Sequence, residues 1–175
     1  MTRPNSSQTS LRYLGRTSAV VTNAASGQAR LWRRFARLPL KRIALWGLAL
    51  NALWEVTHGL FLYDMWDGGF LRGSAVLWAA IAGDVFIVLG VTALAAFLVG
   101  AHRLFALDAA AWAALLGVGL VTGIGLEWAA QALRLWEYTD LMPTLRVLGL
   151  EVGLSPIVQV SVLPALSVRL ASRGM

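Results

Sequence analysis

The chain has no cysteine, which excludes disulfides, thiolate metal sites and a cysteine nucleophile. Charge is also scarce. Asp, Glu, Lys and Arg make up 14% of the residues, where a soluble domain carries roughly a quarter. The first 42 positions hold no acidic residue, and the opening stretch lacks the apolar core of a secretory signal peptide. What the chain has instead is apolar length: 58% of it is hydrophobic, with a mean hydropathy of +0.66. Such a surface cannot face water everywhere. Its eight tryptophans suit the aromatic belts found where a bilayer meets water.

The net charge of +6 is unevenly spread, because nine of the fifteen Lys and Arg residues precede residue 43. The rest of the chain is slightly acidic, which argues against nucleic acid as a partner. Basic residues massed before a first apolar span hold that end in the cytoplasm. Residues 1–27, rich in Ser, Thr, Asn, Gly and Arg, read as a mobile basic tail. Their acid-free, Arg/Ser-rich character also fits an organelle transit peptide. Residues 28–42 read as a basic amphipathic helix lying on the membrane interface. Leu31, Phe35 and Leu38 take one face, Arg30, Arg33, Arg34 and Arg37 the other, and Pro39 acts as a stop. The same segment also reads as a basic flank that only sets topology.

Four apolar segments follow, at 43–63, 75–100, 109–133 and 147–169, within one domain over 43–171. Each is long enough to cross a hydrocarbon layer of about 30 Å at ~1.5 Å per residue. The expected fold is an all-α membrane protein, a four-transmembrane-helix bundle preceded by the basic amphipathic helix. With the N-terminus inside, twelve basic residues lie inside, and Arg72, Arg134 and Arg146 lie outside. This bias predicts a multi-pass protein of a bacterial inner membrane with both termini cytoplasmic. The lipid bilayer is then its first partner. Gly119 and Gly123 have the spacing for close helix packing. Pro156 and Pro164 should bend the fourth helix and free the carbonyls of Val152 and Val160.

Each expected span carries one carboxylate: Glu55, Asp84, Glu127 and Glu151. Counting residues to the outer end of each span puts all four roughly 6–14 Å below the outer boundary. Ionisable groups at such depth are costly and normally face a bundle interior or a wet cavity. Asn51, Glu55 and His58 share one helical stripe, Gln131 lies one turn from Glu127, and Glu151, Ser155 and Gln159 form a ladder. Tyr63, Trp66, Trp136 and Tyr138 are expected around the outer rim. The pattern predicts a polar pocket with Glu55, Asp84, Glu127 and His58 as catalytic groups. Asn51, Trp54, Gln131, Tyr138, Glu151 and Gln159 would bind the substrate. A protonated carboxyl beside an ionised one is the arrangement used for acid–base chemistry, and His58 could relay the proton. The bland reading is that these groups are interhelical hydrogen-bond glue.

Glu55-x-x-His58 has the spacing used in di-iron carboxylate bundles. Such bundles carry that motif twice, and the other histidine, His102, falls in the inner loop. No metal or other cofactor is expected.

Several pieces resemble a family of small four-helix bacterial membrane proteins to which no activity is assigned. They are Asn51-Ala-Leu-Trp-Glu55 with Leu62-Tyr63, Gly83-Asp84-Val85, Glu127, and Trp136-x-Tyr138-x-x-Leu-Met-Pro143. Gly149-x-x-x-Gly153-Leu-Ser-Pro156 and Gln159 complete the set. The resemblance spans most of 51–164 and implies the fold. Asn51-x-x-Trp54-Glu55 also resembles a motif of paxilline-type integral-membrane terpene cyclases, which have more helices and a longer chain. That resemblance implies that Glu55 protonates an isoprenoid substrate, with Asn51 and Trp54 as supports.

Three functions fit these residues. One is a membrane-embedded isomerase or cyclase acting on a lipophilic, isoprenoid-like molecule. Another is a proton-coupled small transporter, which with four helices would need to be a homo-oligomer. The third is an accessory subunit of a larger membrane complex.

Overall fold

The computed structural model describes residues 39–173 except 64, 65 and 67. The expected tail over 1–27 and residues 28–38 of the expected amphipathic helix lie outside the described residues. Residues 40–42, assigned to that helix, instead form the first turn of α1 (Leu40–Gly59).

The described chain is mostly helical. After α1 come α2 (Phe70–Val99), a short α3 (Ala101–Ala106) and α4 (Ala109–Leu133). A two-stranded hairpin of β1 (Thr144–Val147) and β2 (Leu150–Gly153) then leads into α5 (Leu154–Ser172). Among the described residues, α2, α4 and α5 are long and apolar enough to cross a membrane, with mean hydropathies of 2.3, 1.9 and 1.5 over their best windows. α1 has the length, at 20 residues. Lys41, Arg42, Asn51, Glu55 and His58 keep its hydropathy below that of the other three.

The helices present apolar side chains outward and keep polar ones inside. Leu53 on α1, Trp78 and Phe86 on α2 and Val121 on α4 are exposed, whereas Asn51, Glu55, Thr92, Glu127 and Gln159 are buried. That is the reverse of a water-soluble bundle, and it suits apolar surroundings.

The closest packing joins α4 to α5. A Cβ added at Gly119 would stand 2.5 Å from the Val160 carbonyl oxygen and 2.6 Å from Ser161 Cα, so only glycine admits this approach. Val160 is also the residue whose carbonyl loses its helical N–H partner to Pro164, the proline inside α5. The expected bend at Pro156 is corrected. Pro156 occupies the first turn of α5, where a missing N–H costs nothing.

The largest departure from expectation lies at 144–153, where a helix was predicted from residue 147. The chain forms an antiparallel hairpin with Arg146 opposite Glu151 and Leu145 opposite Val152. Its two-residue turn places Leu148 at φ 50° and Gly149 at φ 89°, the paired left-handed conformation of a type I′ turn. Alternation along β2 buries Val152 and exposes Glu151.

The segments at this end form a cap. Tyr63 and Tyr138 pair as an antiparallel bridge. The Thr139 N–H donates to the Leu62 carbonyl at 3.1 Å, and its hydroxyl donates to the Phe61 carbonyl at 2.7 Å. The Leu154 N–H donates to the Pro143 carbonyl at 2.8 Å, which fixes the start of α5 to the same cap.

Candidate functional site

Two buried carboxylate clusters lie below the cap. The first gathers on Gln159 of α5. Its Nε2 donates to Glu55 Oε1 at 2.7 Å, to Asp84 Oδ2 at 2.8 Å and to Asn51 Oδ1 at 3.1 Å. Asn51 and Glu55 are one turn apart on α1, so both reach the same point on α5. The Asn51 amide is held in turn by donating to the Gly47 carbonyl at 2.7 Å. Three helices thus meet on a single amide nitrogen. That nitrogen has two hydrogens for three acceptors.

The second cluster centres on Glu127 of α4, which is 1% exposed. Its Oε2 accepts from the Tyr138 hydroxyl and, at 3.0 Å, from the Gly153 N–H. A side chain at Gly153 would put a Cβ 3.3 Å from the same carboxylate oxygen, so the glycine lets the backbone approach. Burial pushes the Tyr138 hydroxyl above its usual range, and the bond to Glu127 pushes it further. Burial, then the charge of Glu127, does the same to Tyr63. Both phenols remain neutral, and Tyr138 is the one that donates to Glu127.

Both clusters face one cavity of about 450 Å³. Glu55, Asp84, Glu127 and Gln159 form its polar wall, and Val76, Ala80, Ile87, Leu126 and Val160 form much of the apolar one. Tyr63 and Trp136 stand at the cap end in edge-to-face contact, with centroids 6.4 Å apart. Val76, Gly83, Leu126 and Ala129 line the cavity yet are exposed at mid-helix, so it opens sideways between α2 and α4.

The remaining expected site residues stand elsewhere. Glu151 is corrected: it lies on β2, exposed and opposite Arg146, because the segment is strand and not helix. His58 is outside the cavity wall. Its ring stacks on Trp54 at 4.2 Å, and its Nδ1 lies 3.0 Å from both the Trp54 carbonyl and the Thr57 hydroxyl. Asn51 and Tyr138 support the wall from behind through Gln159 and Glu127, and Gln131, one turn from Glu127 on α4, stands off the cavity wall. The Trp54 Nε1 and Ser155 Oγ are buried and have no partner among the described residues.

Among the described residues no three His, Asp or Glu side chains converge as a metal site. Arg72 and Glu137, which were expected in the outer loops, also line the cavity. Arg72 was hidden because α2 begins at Phe70 and not near 75. Glu137 shares the Trp136–Tyr138 stretch but falls outside the expected spans, so no helical stripe ties it to the acids within them. No family model, curated protein or solved structure matches the chain.

Proposed function

We propose that the chain is a four-span membrane enzyme that performs acid–base chemistry of the isomerase or cyclase type on a lipophilic, unsaturated molecule. Leu40–Gly59 serves as the fourth span, its polar stripe turned to Gln159 and its apolar side chains to lipid. Lys41, Arg42, Arg103, Arg169 and Arg173 lie at the end away from the cap. The basic bias favours that end facing the cytoplasm of a bacterial inner membrane.

The observation that carries this reading is the meeting of Glu55 and Asp84 on one amide nitrogen in the wall of a laterally open cavity. Two hydrogens cannot serve three acceptors. A further proton shared between Glu55 and Asp84, which accept from the same Gln159 Nε2, completes the set. That proton is the one available for transfer. In the forward step a carboxyl O–H bond breaks and a C–H bond forms at one carbon of a substrate double bond, leaving a cation on its neighbour. After rearrangement or ring closure, a carbon next to the cation returns its proton to the carboxylate, which restores the pair. Trp136 and Tyr63 offer ring faces to the cation, and Gln159 keeps both carboxylates aimed. The likeness of Asn51-x-x-Trp54-Glu55 to the terpene-cyclase motif favours an isoprenoid-like substrate.

A carrier would need a second access route, whereas the helical walls of the cavity use residues 72–87 of α2 and 123–129 of α4, at the cap half. The accessory-subunit reading draws support from Glu127 alone, whose donors both come from the cap.

The test is deuterium incorporation from heavy water into a polyunsaturated isoprenoid by the purified protein. Glu55→Gln and Asp84→Asn should each lower it by roughly 10²–10⁴-fold, the usual worth of a positioned proton donor. Unchanged incorporation in either variant would remove the assignment.

A further inference from the structure

The cavity has a cation at its mouth that proton transfer does not use. Arg72 occupies the first turn of α2 and lines the cavity, and it makes no ion pair among the described residues. Its side chain lies across Gly68, where an added Cβ would stand 2.9 Å from Nη1 and 3.2 Å from Nε. Gly68 lines the same mouth. The missing side chain leaves room for the guanidinium to lie there. Among the described residues the polar wall has donors but no cation at depth, while the mouth has one.

From Arg72 the lining stripe of α2 runs through Val76, Ala80 and Gly83 to Asp84. Twelve residues at ~1.5 Å each separate Arg72 from Asp84 by about 18 Å. An extended chain gains ~3.5 Å per three bonds, so this interval takes about fifteen bonds. The cavity's volume of about 450 Å³ is in the range of pockets that take a small lipophilic ligand.

We infer that the ligand is a single-chain amphiphile whose anionic oxygen head rests on Arg72 while about fifteen chain atoms reach inward to the Glu55–Asp84 pair. The inference rests on the proposed use of this cavity for a lipophilic molecule and adds the class of head and the length of tail. Arginine suits such a head because its planar fork donates two parallel hydrogen bonds to a carboxylate or phosphate. Glu137 shares the mouth and opposes an anion there, so its removal should tighten binding. A zwitterionic head would need it.

The experiment is equilibrium binding of amphiphiles with a chain of about fifteen carbons to the full protein in nanodiscs, with empty nanodiscs as background. The heads are phosphate, carboxylate, uncharged alcohol and phosphocholine. The wild type should bind the phosphate or the carboxylate roughly five- to tenfold more tightly than the alcohol, a modest factor because the cation is exposed. The two anionic arms separate a phosphorylated lipid from a fatty-acid-like one. Arg72→Gln should abolish the preference, Gly68→Ala should weaken it, and Glu137→Gln should raise it two- to threefold. Ala80→Phe, which fills the apolar wall, should reduce binding of every head.

An anion preference that survives in Arg72→Gln overturns the inference. So does loss of binding in Glu137→Gln, which would indicate the zwitterion. If Ala80→Phe binds all four as the wild type does, the cavity itself is not the lipid site and the proposed function fails with it. Wild-type binding that Ala80→Phe removes, with no preference among heads, defeats the anionic head alone.

Discussion

Glu55 and Glu127 are both buried glutamates on the wall of one cavity, yet their surroundings differ in kind. Glu127 receives its donors from the cap, the Tyr138 hydroxyl and the Gly153 N–H, and nothing else acidic shares them. Glu55 shares a single amide nitrogen with Asp84 and Asn51. A carboxylate with its own dedicated donors is a structural fastener. A pair competing for too few donors has room for a mobile proton. Burial alone does not separate these roles, since Glu127 at 1% and Glu55 at 8% are both enclosed. The supply of hydrogen-bond donors does.

The sharpest way to break this contrast is to remove Glu127. Glu127→Ala leaves the Tyr138 hydroxyl and the Gly153 N–H without their acceptor, each worth about 1–3 kcal/mol when buried and unpaired. Thermal unfolding in detergent should fall markedly, and cap residues should lose protection from hydrogen exchange. Glu55→Gln keeps an acceptor beside Gln159 and relieves the crowding of two carboxyls, so its unfolding should stay near wild type.

Next in size is the helix contact beneath both clusters. Gly119→Val would drive a branched side chain into the α5 backbone and should cost about 1–3 kcal/mol, as overpacking does. Because α5 carries Gln159 and follows Gly153, this variant should disturb both clusters together. A loss confined to one would show that they are not held by the same helix.

The phenols give a smaller effect tied to pH. Tyr63 and Tyr138 are harder to ionise folded than unfolded. Their stabilisation is therefore fully present below the free phenol range, near ~10, and is lost as pH rises through and beyond it. Stability should fall on the alkaline side, and Tyr138→Phe should make that fall shallower, as read by unfolding at stepped pH. The smallest effect is expected at Leu148, 87% exposed and left-handed. Leu148→Gly should leave the hairpin intact or stabilise it by about 1 kcal/mol, the penalty a leucine carries in that conformation.

The helical frame was legible because apolar runs over 18 residues have one economical explanation. The third predicted span, 109–133, coincides with α4. The convergence of Glu55, Asp84 and Gln159 follows from helical stripes and depth counting, and both operations hold wherever the chain is helical. They failed at Glu151 for that reason. Residues 144–153 read as a helix because apolar residues run on through the hairpin into α5, and periodicity alone cannot distinguish a short buried strand from a helix. The turn offered no Asn-Gly signal, since Leu148 takes the first left-handed position. His58 was aligned correctly with Glu55 by spacing, but its ring stacks back on Trp54. Arg72 was missed because helix ends are set by local contacts such as the Trp66 indole packing over Gly73, which no hydropathy pattern records.

The central claim is that Glu55 and Asp84 hold the transferable proton while Glu127 is a fastener. Infrared spectroscopy of the carboxyl stretch in the full protein, in nanodiscs with wild-type, Glu55→Gln, Asp84→Asn and Glu127→Gln side by side, tests it most directly. The account predicts a carboxylic-acid band in the wild type that disappears or shifts in Glu55→Gln and Asp84→Asn and persists in Glu127→Gln. A band that vanishes only in Glu127→Gln, or is untouched by both changes at the Gln159 cluster, would contradict it.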